Sequence, residues 1–150
     1  MGSVPAQRRP MSRLSDRAKR ALSIGGSEAV RLRRDRVEPE HVLIGLLCCG
    51  DSTVERALAA VEVGRARQLV DELVGAGEVL GQIDAVTPSA STRGVVDRAA
   101  TEADRLTDVT IEPRHVLLAL VDEQGVAHVL DAFGISRGAI RRQLLGGSEA

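Results

Sequence analysis

Apolar residues recur along this chain at steps of three and four, the spacing that places side chains on one face of an α-helix. The pattern predicts one helix that begins at Ser15 and a second that begins at Glu38. The remaining predicted helices cover roughly 52–61, 65–74, 91–107, 112–123, 126–133 and 136–145. Strict alternation of apolar and polar residues, which is typical of half-buried strands, is scarce. We therefore predict an all-α fold of eight helices.

One stretch of the sequence occurs twice. "VEPEHVLIGLL" at 37–47 returns 74 residues later as "IEPRHVLLALV" at 111–121. In both copies a proline stands at the first helical position, where its missing N–H group would have no partner within the helix. The agreement extends into the preceding helix and, after a two-residue shift, into the following one. The sequence therefore indicates an internal duplication of a four-helix unit.

The duplication defines the predicted organisation of the chain. Repeat one covers 13–75, a glycine-containing linker covers 76–88, and repeat two covers 89–145. We expect a pseudo-twofold axis to relate the two four-helix repeats. Residues 1–12 are predicted to be a disordered tail, and 146–150 a short tail at the other end.

Composition and charge narrow the possible chemistry. The formal net charge is -1, which provides no overall basic field for nucleic acid. Cys48 and Cys49 are adjacent and lack the spacing of metal-binding cysteines, so we predict two free thiols and no metal or cofactor. No apolar run reaches membrane-spanning length, and no segment has the pattern of a secretory signal. The sequence predicts a cytoplasmic protein without a membrane or nucleic-acid partner.

The repeated motifs resemble a known family. "LSDRAKRAL" at 14–22 and "VEPEHVLIGLL" resemble the first half of the double N-terminal domain of ClpC-type Clp ATPases, such as those of actinobacteria. "TPSA" at 87–90, "IEPRHVLLALV" and "VAHVLDAFGIS" at 126–136 resemble the second half. The resemblance covers about 13–145 and implies a double Clp N domain. The ATP-binding motif G-x-x-x-x-G-K-[ST] is absent, so we expect a stand-alone, non-enzymatic domain.

The resemblance implies that each repeat holds a phosphoarginine side chain, which marks proteins for degradation. In repeat one, Ser15 stands at the family's threonine and Glu40 at its glutamate, which suit the phosphate and the guanidinium of this ligand. In repeat two, Arg114 replaces the glutamate and would repel a guanidinium but attract a phosphate. The hydroxyl partner there is Ser89 by spacing and Thr87 by the resemblance of "TPSA". We expect at most one phosphoarginine site, in repeat one.

Structural roles compete with these ligand roles. Glu40 in the first turn complements the helix dipole, and Ser15 is a favourable N-cap residue.

The resemblance also implies an apolar surface that binds adaptors and, in actinobacterial relatives, cyclic-peptide antibiotics. Leu14 and Val86 stand where relatives carry aromatic residues on this surface, so we expect weakened antibiotic binding.

Two functions follow from these observations. The first is a protein-binding module of the Clp protease system, which recognises substrates or adaptors or acts as a decoy for ligands of Clp ATPases. The alternative is a helical DNA-associated regulator that uses the arginine-rich "RLRRDR" at 31–36. The near-neutral charge favours the first, because arginines at a helix end usually face solvent and complement the dipole.

Overall fold

The computed structural model describes residues 10–145 and is almost entirely helical. A 3-10 helix at Pro10–Arg13 precedes the α-helices. These are α1 (Asp16–Arg31), α2 (Pro39–Cys48), α3 (Ser52–Ala57), α4 (Val63–Val74), α5 (Ala90–Arg105), α6 (Pro113–Leu120), α7 (Gln124–Asp131) and α8 (Arg137–Leu145). Two short strands, β1 (Arg36–Val37) and β2 (Thr87–Pro88), pair in parallel. The prediction of an all-α fold with eight helices is confirmed for this part of the chain.

The first helix of each repeat begins with the same serine cap. Ser15 Oγ accepts a hydrogen bond from the N–H of Ala18, and Ser89 Oγ accepts one from the N–H of Thr92, each at 3.1 Å. The N–H groups of a first helical turn have no partner within the helix. The two serines therefore stabilise equivalent helix starts, as the duplication predicts.

At the start of the second helix of each repeat, a histidine side chain accepts a hydrogen bond from the backbone N–H of the N-cap residue. The N–H of Glu38 donates to Nδ1 of His41 at 3.0 Å, and the N–H of Glu112 donates to Nδ1 of His115 at 2.8 Å. Each histidine stands at the third helical position, where a capping box usually has glutamate or glutamine. A proline at the first helical position precedes it in both repeats. Both histidine side chains are fully buried, which fixes these bonds within the core.

The segment before the first helix of each repeat pairs with the segment before the second helix of the other repeat. Val37 pairs with Pro88 in the β1–β2 ladder, and Leu14 pairs with Ile111 in a second parallel bridge. Positions 14 and 88 are equivalent in the duplication, and so are 37 and 111, so interchanging the repeats turns one bridge into the other. This reciprocity is the signature of a twofold relation between two units. The first helix of each repeat consequently starts beside the second helix of the other.

Helices α2 and α6 lie at the centre of the molecule, where they contact each other and pack against the first helix of their own repeat. Most of α2 is buried on every side, as expected for a central helix rather than a surface one. Gly45 permits the close approach of α2 to α1, because a side chain there would collide with the carbonyl group of Ala21. The core therefore depends on small residues and aliphatic side chains.

The predicted tails at the two ends of the chain lie mostly outside the described residues. Residues 1–9 and 146–150 lie outside the described part, so most of both tail predictions falls there. Residues 10–12, which were assigned to the disordered tail, instead belong to the 3-10 helix, because Met11 packs against the core. Within the described part, no helix is long and apolar enough to cross a membrane.

The second helices account for the shift between the repeats. Helix α2 has ten residues where α6 has eight. Helix α7 therefore begins 72 residues after the start of α3, whereas α6 begins 74 residues after the start of α2. Helix α3 ends at Ala57, earlier than predicted.

Candidate functional site

The predicted pairing of Ser15 with Glu40 inside repeat one is wrong, because the repeats exchange their helix starts. The N–H of Ser15 donates to the carbonyl of Ile111, and the N–H of Ser89 donates to the carbonyl of Val37, each at 3.0 Å. Ser15 therefore lies next to the start of α6, and Ser89 lies next to the start of α2. Any ligand shared between a serine and a second-helix start would contact both repeats.

The serine hydroxyls are already engaged in the fold. Ser89 is buried, and its Oγ accepts from the N–H of Thr92 while donating to Thr92 Oγ1 at 3.1 Å. Thr92 Oγ1 in turn donates to the carbonyl of Val37 at 2.7 Å. Thr87 lies in β2 and is exposed. Of the two hydroxyls that the sequence left open, Ser89 is thus the structural counterpart of Ser15.

Glu40 points toward the start of α7 in the other repeat. A side chain at position 125 would collide with the Glu40 carboxyl group, so Gly125 leaves the space that this group occupies. Burial raises the pKa of Glu40, and repulsion from Glu38 and Glu123 adds to the increase while Arg34 opposes it. The predicted ligand carboxylate is therefore half-buried between the repeats.

Arg114, the counterpart of Glu40, has a protein partner of its own. Its Nη2 donates to Oδ2 of Asp108 at 2.8 Å, and Nε2 of His115 donates to the same oxygen at 2.8 Å. The Arg114 and His115 bonds hold the pKa of Asp108 below its usual range. Burial lowers the pKa of His115 although Asp108 opposes the shift. Arg114 was predicted to face a ligand, and in the structure its guanidinium is bound by this carboxylate.

The two repeats carry opposite charges at two equivalent positions. Arg34 stands at the position of Asp108, and Glu40 stands at the position of Arg114. The guanidinium of Arg34 donates from Nη1 to the carbonyl of Val74 at 3.3 Å, and its Nη2 lies 3.8 Å from Oε2 of Glu38. The mismatch between Glu40 and Arg114 is thus one half of a double charge reversal. Positions 34 and 108 were not among the predicted site residues, although the same alignment of repeats shows their opposite charges.

A groove runs along α1 and ends at the paired strands. Its volume is about 650 Å³, and it is lined by Met11, Leu22, Ser23, Gly26, Ser27, Val30, Arg31, Val37, Val86, Pro88 and Thr92. Val86, which the sequence assigned to the ligand surface, lines this groove. Leu14 does not, because its bridge to Ile111 carries it into the core, where it is only 6% exposed. The prediction of Leu14 as a surface residue is therefore wrong.

A smaller groove lies at an equivalent place in the other repeat. Its volume is about 210 Å³, and it is lined by Pro10, Met11, Arg93, Val96 and Asp97. Val96 and Asp97 are the counterparts of Leu22 and Ser23 in the duplication. Met11 contributes to both grooves. The two grooves therefore share two equivalent positions, and the larger groove lies on repeat one.

The arginines of "RLRRDR" hold the linker in place. Arg33 donates from Nε to the carbonyl of Val79 at 3.1 Å and also to the carbonyl of Gly81. Arg31 binds Asp71 in α4 at 2.9 Å. These contacts favour the structural role of this segment over a nucleic-acid patch.

Across residues 10–145, no group of three or more histidine, cysteine or acidic residues is placed to hold a metal ion.

An ion pair between the first and fourth helices occurs in both repeats and was not predicted. Arg67 Nε lies 3.0 Å from Oε1 of Glu28, and Arg141 Nη1 lies 3.6 Å from Oε2 of the equivalent Glu102. The Arg67 and Arg31 bonds lower the pKa of Glu28 against the effect of its burial. These pairs fix the position of α1 and α5 and hence the walls of both grooves.

Comparison with known proteins agrees with this architecture. Residues 13–133, and again 87–145, match the family described as the Clp repeat (R) N-terminal domain. The chain is 33% identical over 137 residues to the negative regulator of genetic competence ClpC/MecB of Bacillus subtilis and 34% identical over 137 residues to the chaperone protein ClpB of Oceanobacillus iheyensis. Each match covers 89% of this chain and 17% of the relative, so the chain spans about one sixth of these proteins.

Solved structures share the fold. The N-terminal domain of the chaperone ClpD from Arabidopsis thaliana superposes with a TM-score of 0.76 at 22% identity, covering 93% of this chain and 96% of that one. A ClpV N-domain in complex with a VipB peptide gives a TM-score of 0.67 at 20% identity, covering 90% and 89% respectively.

Proposed function

The chain belongs to the Clp N-terminal domain family, and from this premise we propose that it is a non-enzymatic module that binds partner polypeptides of the Clp protease system. The observation that carries the proposal is the apolar groove along α1. We place substrate or adaptor segments in this groove. The related ClpV N-domain was solved with a VipB peptide, which supports a peptide-binding use of the fold.

The groove has the size and chemistry of a peptide site. About 650 Å³ is within the range of protein ligand pockets and accommodates a few side chains of a peptide. Leu22, Val30 and Val86 supply apolar contact, while Ser23 and Ser27 provide hydroxyl groups near the peptide backbone. A bound segment with spaced apolar side chains would bury those side chains against α1 and leave its polar groups at the rim.

Two specific ligands of the family, phosphoarginine and cyclic-peptide antibiotics, depend on individual residues of this chain. We infer that phosphoarginine has at most one site, at the start of α2, because Glu40 is a carboxylate and Arg114 is bound to Asp108. We also infer that cyclic-peptide antibiotics bind weakly, because the groove offers aliphatic Val86 and Leu14 is buried.

We assign no ATP hydrolysis to these 150 residues, since their sequence has no phosphate-binding loop. We place the protein in the cytoplasm, where Cys48 and Cys49 would remain reduced.

The groove is tested by filling it. Ser27 is exposed on α1 and lines the groove, and its counterpart Thr101 is exposed on α5 and lines neither groove. Binding of fluorescein-labelled casein, an unfolded polypeptide, is measured by fluorescence anisotropy. We expect Ser27→Trp to weaken binding at least tenfold and Thr101→Trp to leave it unchanged. Equal affinities for the two variants would show that the groove is not the binding surface.

The DNA-binding alternative is tested in the same assay. The arginines that this hypothesis requires are bound to the linker and to Asp71. We expect a labelled DNA duplex to show no saturable binding at physiological salt. Saturable binding that Arg33→Ala and Arg36→Ala remove would support the alternative instead.

A further inference from the structure

The first helix of each repeat leads into a loop of the same backbone conformation. The loop that follows α1 is residues 32–35, and its equivalent after α5 is residues 106–109. Both contain a left-handed residue that is not glycine, Arg33 with a φ of 60° and Thr107 with a φ of 56°. The N–H of the next residue then donates back to the helix, from Arg34 at 2.9 Å and from Asp108 at 2.8 Å. Such residues are uncommon, so the two loops share an unusual backbone.

In repeat one, the linker pairs with loop 32–35 as an extended segment. The N–H of Gly77 donates to the carbonyl of Leu32 at 2.7 Å, and the N–H of Val79 donates to the carbonyl of Arg33 at 3.3 Å. Backbone N–H groups two residues apart that bind one neighbouring segment are typical of an added strand. A Cβ atom at position 77 would collide with the carbonyl oxygen of Arg33. This pairing therefore requires a glycine, which is followed two residues later by an aliphatic residue.

In repeat two, the equivalent carbonyls have no such segment within the described part of the chain. The carbonyl of Thr107 accepts no hydrogen bond from residues 10–145, and that of Leu106 accepts only the Thr107 hydroxyl, at 2.6 Å. Arg13 binds the carbonyls of Asp108 and Val109, which are not equivalent to the two that the linker uses. Because a carbonyl oxygen has two lone pairs, the Leu106 and Thr107 carbonyls both retain an acceptor site.

Loop 106–109 is also exposed and partly apolar. Leu106 is 39% exposed, and Val109 is 85% exposed. Their equivalents in repeat one are Leu32, which is half-buried, and Asp35, which is charged. Repeat two therefore offers, beside the two carbonyls, apolar surface that a partner would remove from water.

One contact that holds the linker is missing from repeat two. In repeat one, the guanidinium of Arg33 donates to the carbonyl of Val79 at 3.1 Å and also to the carbonyl of Gly81. Thr107 stands at the position of Arg33 and has no equivalent donors. Repeat two thus keeps the backbone acceptors but lacks the arginine, which suits a segment that binds reversibly.

We propose that loop 106–109 binds an extended segment of a partner polypeptide, in the arrangement that the linker adopts on loop 32–35. The segment has a glycine whose N–H donates to the Leu106 carbonyl, and an aliphatic residue two positions later whose N–H donates to the Thr107 carbonyl. The surface is separate from both grooves, because none of residues 106–109 lines either one. A failure of the groove proposal therefore leaves this proposal unaffected.

The linker's own sequence is the probe for this surface. A capped peptide with the sequence AGEVLG of residues 76–81 is added to the isotope-labelled 150-residue protein, and backbone amide signals are recorded by NMR. We expect saturable shifts at residues 106–109 at millimolar peptide. The Gly77→Val form of the peptide should produce none, because its side chain would meet the Thr107 carbonyl as a Cβ atom would meet that of Arg33. Equal shifts with both peptides would contradict the proposed pairing.

Thr107→Arg supplies the missing arginine and should bind the peptide about tenfold more tightly, since hydrogen bonds from a charged donor are stronger than neutral ones. Thr107→Lys is the matched control, because it adds the same charge without the planar fork of donors and should improve binding less. Equal gains for the two variants would attribute the effect to attraction of the peptide's glutamate and overturn the pairing.

The wild-type protein decides the remaining outcomes. Signals of residues 106–109 that do not respond to the peptide would overturn the proposal, as would shifts confined to the groove along α1. Without peptide, signals of this loop that depend on protein concentration would assign the surface to a second copy of the chain. Signals that change when residues 146–150 are removed would assign it to the chain's own end. Either result would exclude the partner segment.

Discussion

The N–H of Ser89 donates to the carbonyl of Val37 at 3.0 Å, and this bond joins the N-cap of α5 in repeat two to the strand that leads into α2 of repeat one. Its counterpart joins Ser15 to Ile111. Each repeat therefore relies on the other for a hydrogen-bond acceptor at its helix start. Neither repeat contains a complete set of partners for its own backbone.

Separated repeats should not fold as monomers. A fragment of residues 1–82 lacks Ile111 and Pro88, and a fragment of 83–150 lacks Leu14 and Val37. We expect each fragment to show little helix by circular dichroism at micromolar concentration, and an equimolar mixture to recover the helical signal. A cooperative monomeric transition for one fragment alone would contradict this prediction.

Substitutions of Gly125 and Glu40 should have coupled effects on the free energy of unfolding. A methyl group at position 125 displaces the Glu40 carboxyl, so Gly125→Ala should lower the raised pKa of Glu40 toward its ordinary value. We expect a coupling of about 1 kcal/mol between Gly125→Ala and Glu40→Ala in a double-mutant cycle of unfolding. Gly94→Ala is the matched control, because the space beside Gly94 in α5 is nearly open. Equal coupling for both glycines would disprove the contact.

Asp108 should stabilise the fold through His115. Asp108→Ala leaves the buried Nε2 of His115 without its acceptor, and we expect the free energy of unfolding to fall by about 1–3 kcal/mol. Asp104→Ala is the control, since Asp104 is 66% exposed and its ion pair with Arg13 should contribute less than about 1 kcal/mol. Denaturant unfolding measures both. Similar losses for the two variants would show that the His115 bond carries no special weight.

Acidification should destabilise the protein. Burial lowers the pKa of both His41 and His115, so the unfolded chain binds more protons than the folded one as the pH drops below about 6.5. The free energy of unfolding should therefore fall between pH 7.5 and 5.5. The raised pKa of Glu40 acts in the opposite direction and offsets part of the loss.

Two variants check the origin of this pH dependence. The double variant His41→Gln/His115→Gln keeps an acceptor for each N-cap N–H but cannot titrate, so its stability should vary less over this range. Glu40→Gln removes the opposing group and should steepen the loss. A wild-type stability that is flat with pH would refute the assignment.

Phosphoarginine should bind at most once. Isothermal titration with free phosphoarginine should give a stoichiometry no greater than one, and Glu40→Gln should remove the signal. Arg114→Ala should leave it unchanged, because Asp108 already binds that guanidinium. Two equivalents, or binding that survives Glu40→Gln, would place the ligand elsewhere.

Local features of this fold were predictable from the sequence, and features that cross between repeats were not. The N-cap role of Ser15 and the start of α2 at Glu38 follow from neighbouring residues alone. The burial of Leu14 depends on Ile111, almost a hundred residues away, and no local pattern reports such a contact. The same holds for the displacement of Ser15 from Glu40. A comparison of the aligned copies would have shown the charge reversal at Arg34 and Asp108, because it requires only their equivalence.

The exchange between Leu14 and Ile111, and between Val37 and Pro88, bears on the ancestry of this architecture. An ancestral chain of one unit would have had its helix starts completed only by a second copy of itself, as a symmetric homodimer. Joining two such units in one chain would fix the pair at equal stoichiometry and allow each half to diverge. A homodimer could not acquire the opposite charges at positions 34 and 108, because every substitution in it appears twice, whereas two joined units can.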